Sequence, residues 1–319
     1  MKQKLINFLA TFEKENIEKS FPLNYCLPVY HCVSDENLPH LSHIIKYKNV
    51  RQFENDLDYF SRYFQFVNWD EFKDFFKGNF KVKKKIALLT FDDGFREFYD
   101  VVAPILERKG IYAINFINPA FINNKDLMFR SKESLIIDKI RNSGTTNNNI
   151  KIEEVSKINY RNKSQLDQIA EELEIDFSLY LKKQKPYLDF DQLKNLTARG
   201  FGISAHSWDH PLYWELALEE QLENTIKSLN YIKENNFLAD SFAFPFTDFG
   251  VKNDFFESLF KNEPLSYSFG CAGIKVDSFS KNLQRIPMET GGSASQTLRS
   301  EIGYFKLKKL LNKNTIIRK

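Results

Sequence analysis

Apolar and polar positions alternate along the chain with two different periods, and the period changes repeatedly from one segment to the next. Short, largely apolar runs have the composition of buried strands, and most are followed by segments in which apolar residues recur every three or four positions, as in helices. The predicted strands are 23–32, the apolar part of 83–94, 111–117, 201–205, 241–244, 265–269 and 282–287. The predicted helices are 50–64, 69–77, 95–109, 191–199, 218–235 and 252–260. This alternation predicts an α/β fold with a parallel sheet, and about seven strands indicate a distorted (β/α) barrel, whose chemistry lies at the carboxyl ends of its strands.

The alternation of strand and helix is interrupted between residues 118 and 191. Asparagine, lysine and glutamate dominate there, with short helical stretches such as 164–173 and a polar loop at 144–149. We predict a helical insertion on the loop side of the sheet, where specificity would be added. Residues 1–22 are predicted to form an N-terminal helical extension, and 23–319 a single barrel domain that contains the insertion.

Composition and charge exclude several classes of protein. With 42% hydrophobic residues among 319, the chain can fill a core, which excludes disorder as its main state. A formal net charge of +3, from 45 basic and 42 acidic residues, is too balanced to predict a nucleic-acid partner. The three cysteines lack the spacing of a zinc finger or of a disulfide framework, which fits a reducing compartment.

The two ends of the chain bear on its location in the cell. The first 20 residues are interrupted by charges at 13–15 and contain no small-residue cleavage site, so they are not typical of a signal peptide, and we expect a cytoplasmic protein. The run 306–319 is basic and partly amphipathic. It predicts either a soluble helix end or a peripheral contact with the anionic inner face of a membrane.

Two adjacent carboxylates, Asp92 and Asp93, stand where a predicted buried strand stops at Gly94. Neighbouring side chains of a strand point to opposite faces, so both can serve one site only if the chain turns there, which Gly94 permits. One carboxylate could then hold a cation while the other, kept ionised by that cation, accepts a proton. The alternative is that Asp-Asp-Gly is only a turn.

A second strand end carries two of the five histidines. His206 and His210 follow the predicted strand 201–205 and are four residues apart. On a helical turn this spacing places both imidazoles on one side, as two ligands of one metal require, although a structural pair is the alternative. With Asp93 they make a two-histidine, one-carboxylate set that leaves positions for water and substrate.

These two segments resemble motifs of the polysaccharide deacetylase family, also called NodB homology domains or family 4 carbohydrate esterases. The sequence TFDDG at 90–94 matches the first family motif in every position, and HSWDH at 206–210 matches the second, H-S/T-x-x-H. The resemblance covers about 28–289 apart from the insertion.

The resemblance implies roles for the four residues of these motifs. Asp93, His206 and His210 are predicted to bind a divalent metal, Zn²⁺ first, with Co²⁺, Ni²⁺ or Mn²⁺ as alternatives. Asp92 is predicted to be the general base that deprotonates a metal-bound water.

The third family motif is represented by Phe-Pro-Phe at 244–246. Pro245 and Phe246 are predicted to contact the substrate, Phe246 through its backbone N–H. The family usually has an arginine two residues before the proline, which orients the base, but this chain has Ala243. Part of the family resembles this chain and has an arginine later, near an L-x-R-I/L-P segment, which makes Arg285 the predicted substitute.

The family's last motif, L-x-H, has no match, since no histidine follows His210. In permuted members of the family the equivalent acid histidine belongs to an early strand that reads Y-H, as 30–31 does here. His31 is therefore the predicted general acid, and a hydrogen-bonded strand-end histidine is the alternative. Trp208 is predicted to stack on a sugar ring, although packing on the barrel rim is the simpler role.

Together these features predict a metal-dependent hydrolase that removes an N-acetyl, or other N-acyl, group from an amino sugar. Because no export signal is visible, the predicted substrate is an intracellular intermediate of surface-polysaccharide assembly: a glycan, or a sugar linked to lipid or nucleotide. The missing arginine leaves open a catalytically impaired carbohydrate-binding or assembly protein on the same fold. An iron oxygenase is disfavoured, because its H-x-D pair belongs to an all-β jelly roll.

Overall fold

The computed structural model describes residues 11, 13, 16–142 and 150–319, so the predicted loop 144–149 and most of the predicted extension 1–22 lie outside the described residues. The strands are β1 (Tyr25–Cys26), β2 (Pro28–Tyr30), β3 (Phe64–Phe66), β4 (Lys85–Ala87), β5 (Leu89–Asp92), β6 (Ala113–Ile117), β7 (Gly202–Ala205), β8 (Ser241–Ala243), β9 (Tyr267–Gly270), β10 (Val276–Asp277), β11 (Asn282–Gln284), β12 (Ile286–Pro287) and β13 (Thr315–Ile316). The α-helices are α1 (Val50–Tyr63), α2 (Trp69–Phe76), α3 (Ala103–Lys109), α4 (Phe129–Asn142), α5 (Ile152–Val155), α6 (Gln165–Glu172), α7 (Phe177–Gln184), α8 (Phe190–Ala198), α9 (Leu218–Glu234), α10 (Asn253–Asn262) and α11 (Ala294–Leu310).

A parallel barrel lies at the centre of the protein. Its strand order is β11-β9-β8-β7-β6-β5-β2-β12, and every neighbouring pair is parallel. The two ends of this order are halves of one predicted strand, 282–287, which is interrupted at Arg285. The first half pairs with β9 and the second with β2, so this segment joins the two edges of the sheet. The prediction of a distorted (β/α) barrel with about seven parallel strands is confirmed, with the last strand split in two.

The barrel strands are buried on both faces, because helices cover the outside and side chains fill the inside. On β6, Ile114 and Phe116 pack with residues of other strands in one cluster, whereas Ala113 and Ile117 belong to the cluster that includes the surrounding helices. All five residues of β6 are buried. This burial explains why the strand appears in the sequence as a continuous apolar run rather than as an alternating one.

The segment after the first motif departs from the predicted helix 95–109. A π-helix at Phe98–Val102 precedes α3, and the N–H of Ala103 donates to the carbonyl of Phe98, five residues back. Pro104 has no N–H, so it cannot make a regular α-helical hydrogen bond here. The regular helix therefore starts at Ala103, after an irregular turn of the kind that is frequent at functional sites.

The insertion contributes α4 to α7, and its apolar residues form two clusters. Its last segment runs along the first motif: the N–H of Leu188 donates to Gly94 O at 2.9 Å, and that of Arg96 to Pro186 O at 2.9 Å. The insertion therefore lies against the end of the barrel where the Asp-Asp-Gly turn is found.

The described part of the predicted N-terminal extension and the run 306–319 differ from what the sequence predicted. Residues 16–22 form a turn, with the N–H of Phe21 donating to Ile17 O at 2.9 Å, and are not helical. At the other end, α11 is followed by β13, which pairs with β10. The last residues are thus not the frayed end of a helix. In the parts of the chain that the structure describes, no helix has the length and apolar character needed to cross a bilayer.

Candidate active site

The first motif forms a tight turn at the carboxyl end of β5. Asp93 and Gly94 both have left-handed backbones, with φ of 75° and 68°. A Cβ at position 94 would lie 3.0 Å from the side chain of Ile117, so glycine suits both the conformation and the space. The side chains of Asp92 and Asp93 are 4% and 3% exposed. Asp-Asp-Gly is thus a turn, as the simpler alternative held, and the turn brings both carboxylates into one buried site.

The second motif follows β7, but it does not form the helical turn that the histidine spacing suggested. Ser207 and His210 have φ values of 71° and 61°, so the loop reverses at two left-handed residues. The amide of Asn118, at the end of β6, donates to Ser207 O at 3.2 Å and also to His206 O. Ser207 Oγ accepts from the N–H of His210 at 3.1 Å. Asn118, which sequence reasoning missed, therefore fixes the loop that carries both histidines.

One donor atom each from Asp93, His206 and His210 lies within 4.8 Å of the others, in a group that can hold a metal ion. Asp93 Oδ1 is 3.2 Å from His210 Nε2 and 3.5 Å from His206 Nε2. Two ligands that are each about 2.1 Å from one metal lie about 3 to 3.4 Å apart, which these distances match closely. The fold thus brings Asp93 together with two predicted ligands that are more than a hundred residues away in the sequence.

Hydrogen bonding prepares these atoms for a cation. His206 Nδ1 donates to Ala243 O at 2.9 Å, which leaves Nε2 as a bare acceptor. Nε2 and Asp93 Oδ1 are buried without a hydrogen-bond partner in the described part of the chain, an arrangement that a metal ion would satisfy. Burial lowers the pKa of His206 to about 4, so its imidazole is neutral. Burial alone would raise the pKa of Asp93, but the neighbouring histidines, His210 above all, lower it overall. The residues therefore fit a divalent metal.

Arg285 holds Asp92 in a bidentate pair. Its two terminal nitrogens are 2.6 and 2.7 Å from Asp92 Oδ1 and Oδ2, and Arg285 Nε donates to Gly270 O at 3.3 Å. The arginine is fully buried, at the interruption between β11 and β12. Burial raises the pKa of Asp92, but the positive charge of Arg285 outweighs this effect and lowers it overall. Asp92 is therefore ionised and oriented, and the arginine that does this comes from a different strand than the one carrying Ala243.

His31 lies just beyond β2 and contacts a carboxylate that sequence reasoning missed. Its Nδ1 bonds the side chain of Glu289, whose Oε1 also accepts from the N–H groups of His31 and Cys32 at 3.0 Å each. Burial lowers the pKa of His31, but the Glu289 charge and hydrogen bond outweigh it and raise the pKa to about 9. The imidazole is therefore protonated at neutral pH, and its side chain remains 26% exposed. An acidic residue two positions after β12 was the only signal in the sequence.

The predicted substrate residues occupy different surroundings. Phe246 has a left-handed backbone, with φ of 55°, and its ring lies edge-on to His210 at a centroid distance of 4.4 Å. Pro245, beside it, is buried. Trp208 packs on α9, where Lys227 Nζ is 4.0 Å from its ring centroid. Trp208 also borders a groove of about 370 Å³ between the second motif and the insertion. Its rim position is thus clear, and contact of these three residues with substrate stays a prediction.

Backbone strain is concentrated around these motifs. Ten non-glycine residues in the described ranges have left-handed backbones, and four of them are in the three motif loops, namely Asp93, Ser207, His210 and Phe246. Such conformations cost energy and persist where the surrounding structure enforces them, as at active sites.

Comparison with known proteins agrees with this geometry. The sequence profile of the family described as "Polysaccharide deacetylase" matches residues 79–250, more than half of the chain. This range contains the motifs at 90–94 and 206–210. No curated protein matches the sequence at a significant level.

Several solved structures share the fold. They include the deacetylase PplD of Streptococcus pyogenes in complex with acetate, at 16% identity and a TM-score of 0.57 over 88% of this chain and 99% of that one. IcaB from Ammonifex degensii aligns at 16% identity and a TM-score of 0.56, over 87% and 97%. A de-N-acetylase from Aggregatibacter actinomycetemcomitans aligns at 15% identity and a TM-score of 0.57, over 86% and 99%. These likenesses establish the fold, and the family profile establishes the relationship: the chain belongs to the polysaccharide deacetylase family.

Proposed function

We propose that this protein is a metal-dependent hydrolase that removes the N-acetyl group, or another N-acyl group, from an amino sugar. The observation that carries the proposal is the meeting of donor atoms from Asp93, His206 and His210, beside an Asp92 carboxylate that a buried arginine orients. Membership of the family supports carbohydrate deacetylation, and the donor set supports a divalent metal, Zn²⁺ first and Co²⁺, Ni²⁺ or Mn²⁺ as alternatives.

The proposed reaction adds water across the amide bond and releases a carboxylate and an amine. A divalent cation bound by the three ligands would lower the pKa of a bound water toward about 7 and polarise the amide carbonyl. Asp92 accepts the proton of the attacking water, since Arg285 keeps it ionised and fixed. The backbone N–H of Phe246 donates to the oxygen on which negative charge develops.

His31 supplies the second proton. When the C–N bond breaks, the departing nitrogen needs a proton, because an amine leaves far more readily than its anion. His31 carries that proton at neutral pH, since Glu289 raises its pKa to about 9. The environment of Asp92 lowers its pKa, whereas that of His31 raises its pKa. Shifts in opposite directions of this kind assign one residue as the base and the other as the acid.

We further propose that the substrate is an intracellular intermediate of surface-polysaccharide assembly, as a glycan or as a lipid-linked or nucleotide-linked sugar. Cytoplasmic location at the inner face of the membrane is part of this proposal. Leu310 and Leu311, at the end of α11, are 82% and 55% exposed beside the exposed Lys309 and Lys313, which supports contact with an anionic membrane. Salt-sensitive sedimentation with anionic, but not neutral, vesicles is the expected result, and no sedimentation with either would remove this part of the proposal.

The non-catalytic alternative was motivated by Ala243, which stands where the family usually has its arginine. The bidentate pair of Arg285 with Asp92 removes that motivation, because the base has its arginine from another strand. The structure therefore favours an enzyme over a binding protein.

Acetate release tests the proposal. Protein stripped of metal by a chelator is reloaded with each metal in turn and given acetylated amino-sugar oligosaccharides, a nucleotide-linked N-acetyl amino sugar and a lipid-linked one. We expect acetate from the reloaded protein and not from the stripped one, with Asp92→Asn inactive although it retains metal. If the reloaded wild type binds glycan and metal but releases no acetate from any substrate, the binding-protein alternative replaces the enzyme.

A further inference from the structure

The segment after α11 packs against the connection between β9 and β11, in a two-stranded sheet separate from that of the barrel. β13 pairs in parallel with β10. Arg318 lies two residues after β13, and its side chain is only 3% exposed. A basic side chain is ordinarily exposed, since burying an unpaired charge is costly. The burial of Arg318 therefore indicates a specific partner.

Two buried carboxylates are that partner. Arg318 pairs through one terminal nitrogen with both Asp248 and Asp277, the latter at 2.6 Å, and its Nε donates to Asp277 at 3.2 Å. Its other terminal nitrogen donates to the main-chain carbonyls of Asp248 and Val251 at 2.7 and 3.2 Å. The Asp248 and Asp277 side chains are 2% and 0% exposed. In the described residues, Arg318 is the one cation that forms an ion pair with either carboxylate.

The same carboxylates hold the strand that carries Arg285. The side-chain amide of Gln284, the residue before Arg285, donates to Asp248 at 2.6 Å and to Asp277 at 3.1 Å. The amide of Asn282 donates to both as well, at 2.7 and 3.0 Å. The two carboxylates therefore join the end of the chain to β11.

Two further contacts lead from this cluster to the reacting groups. A Cβ at Gly270 would lie 2.4 Å from the Asp248 carboxylate, so the two are packed tightly, and Gly270 O accepts from the backbone N–H of Arg285 at 3.1 Å and from its Nε at 3.3 Å. Asp248 is also two residues after Phe246, the proposed oxyanion donor. One carboxylate cluster thus supports the Asp92-orienting arginine and the third motif together.

We propose that Arg318 is a positioning residue for deacetylation: by neutralising Asp248 and Asp277 it holds β11 and the third-motif loop in the geometry that Arg285 and the Phe246 N–H require. This rests on the proposed function. Without Arg318 the two buried carboxylates keep the hydrogen bonds from Asn282 and Gln284 but have no cation, so we expect their repulsion to displace at least one of these segments. A displacement of about 1 Å in such a support costs about 100-fold in rate.

The test compares Arg318→Ala and Arg318→Lys with Lys319→Ala, a matched control because its side chain is exposed in the same segment. We expect kcat of Arg318→Ala to fall by about 10- to 100-fold while KM and metal content remain near wild type, because Arg285 and the Phe246 N–H act on the transition state. Low millimolar guanidinium should restore part of the kcat by filling the vacated space. Lysine should restore little, since a point charge cannot reach all five acceptor atoms.

Hydrogen exchange in the same variants keeps the test independent of any substrate. In Arg318→Ala we expect faster exchange at the amides of Ala272, Gly273 and Arg285, and in Lys319→Ala no change there. Faster exchange confined to residues 311–319, or wild-type kcat in a folded Arg318→Ala, would overturn the proposal. If Arg318→Ala does not fold, Arg318→Lys decides by the same two measurements. Absence of acetate release by the wild type speaks against the proposed function, and hydrogen exchange then still decides the role of Arg318.

Discussion

The buried pair of Arg285 and Asp92 permits a quantitative prediction for the substitution Arg285→Met. Methionine keeps a long side chain but leaves Asp92 without the guanidinium that contacts both its oxygens. The two side chains are 0% and 4% exposed, so solvent cannot replace the lost partner. Breaking a buried ion pair from one side costs about 3 to 5 kcal/mol, because the remaining charge is unpaired. We expect a loss of this size in the free energy of unfolding of the metal-free protein at pH 7.

The pH dependence separates lost charge from lost packing. In the wild type, burial acts to raise the pKa of Asp92 but Arg285 outweighs it, so the folded-state pKa lies below the unfolded value of about 3.9. The pair therefore stabilises the fold above that value, and this contribution is lost only as the pH falls through the lower folded pKa. Arg285→Met removes the largest effect that opposes burial and leaves only the smaller lowering effects of His206 and His31, so we expect the folded pKa of Asp92 to rise. The variant then gains stability as the pH falls through that raised pKa. The deficit relative to wild type should shrink on acidification.

Urea unfolding of metal-free protein, followed by circular dichroism at pH 7 and pH 5, measures this deficit. The double variant Asp92→Asn/Arg285→Met should regain most of the lost stability, since neither position of the buried pair then carries a charge, while remaining inactive. Arg161→Met is the control, because Arg161 makes an ion pair with Glu220 at the surface and its loss should change little. A deficit that is the same at both pH values, or below about 1 kcal/mol, would refute the charge argument.

Three further outcomes are expected from the site. Asp93→Ala should lose bound metal, whereas Asp92→Asn should keep it and lose turnover, as metal analysis beside acetate release will show; turnover in Asp92→Asn contradicts the base assignment. Because Glu289 raises the pKa of His31 to about 9, activity should fall as the pH rises through about 9. In Glu289→Gln this alkaline loss of activity should move toward about pH 6.5. If it stays at the same pH in the variant, His31 is not the acid. Asn118→Ala should weaken metal affinity by about 10- to 100-fold, because the loop between the two histidines loses its hydrogen bonds from the Asn118 amide. Competition with a chelator measures this affinity, and an unchanged affinity means that Asn118 only packs.

The sequence was most informative where one physical cause acts locally. The strands of the barrel are continuous apolar runs because both faces are buried, so most of them, and their approximate number, could be predicted. The Asp-Asp-Gly turn could also be predicted, since Gly94 must adopt a left-handed backbone. The spacing of His206 and His210 indicated a shared ligand but suggested the wrong local structure. The two imidazoles are instead brought to one side by a loop with two left-handed residues, Ser207 and His210. Asn118, at the end of another strand, stabilises this loop.

Residues that act through distant partners could not be found from one sequence. Glu289 is unremarkable along the chain, and only the fold places its carboxylate against His31, 258 residues away. Arg318 is the clearer case, because its basic surroundings at 306–319 predicted either a soluble helix end or a peripheral membrane contact, and both would leave its side chain exposed. Its side chain is buried against Asp248 and Asp277, which are 70 and 41 residues distant. Arg318 thus belongs to a run whose sequence predicts exposure to solvent, although the fold places its own charge in the interior. Any role of this run at a membrane must therefore depend on its other residues.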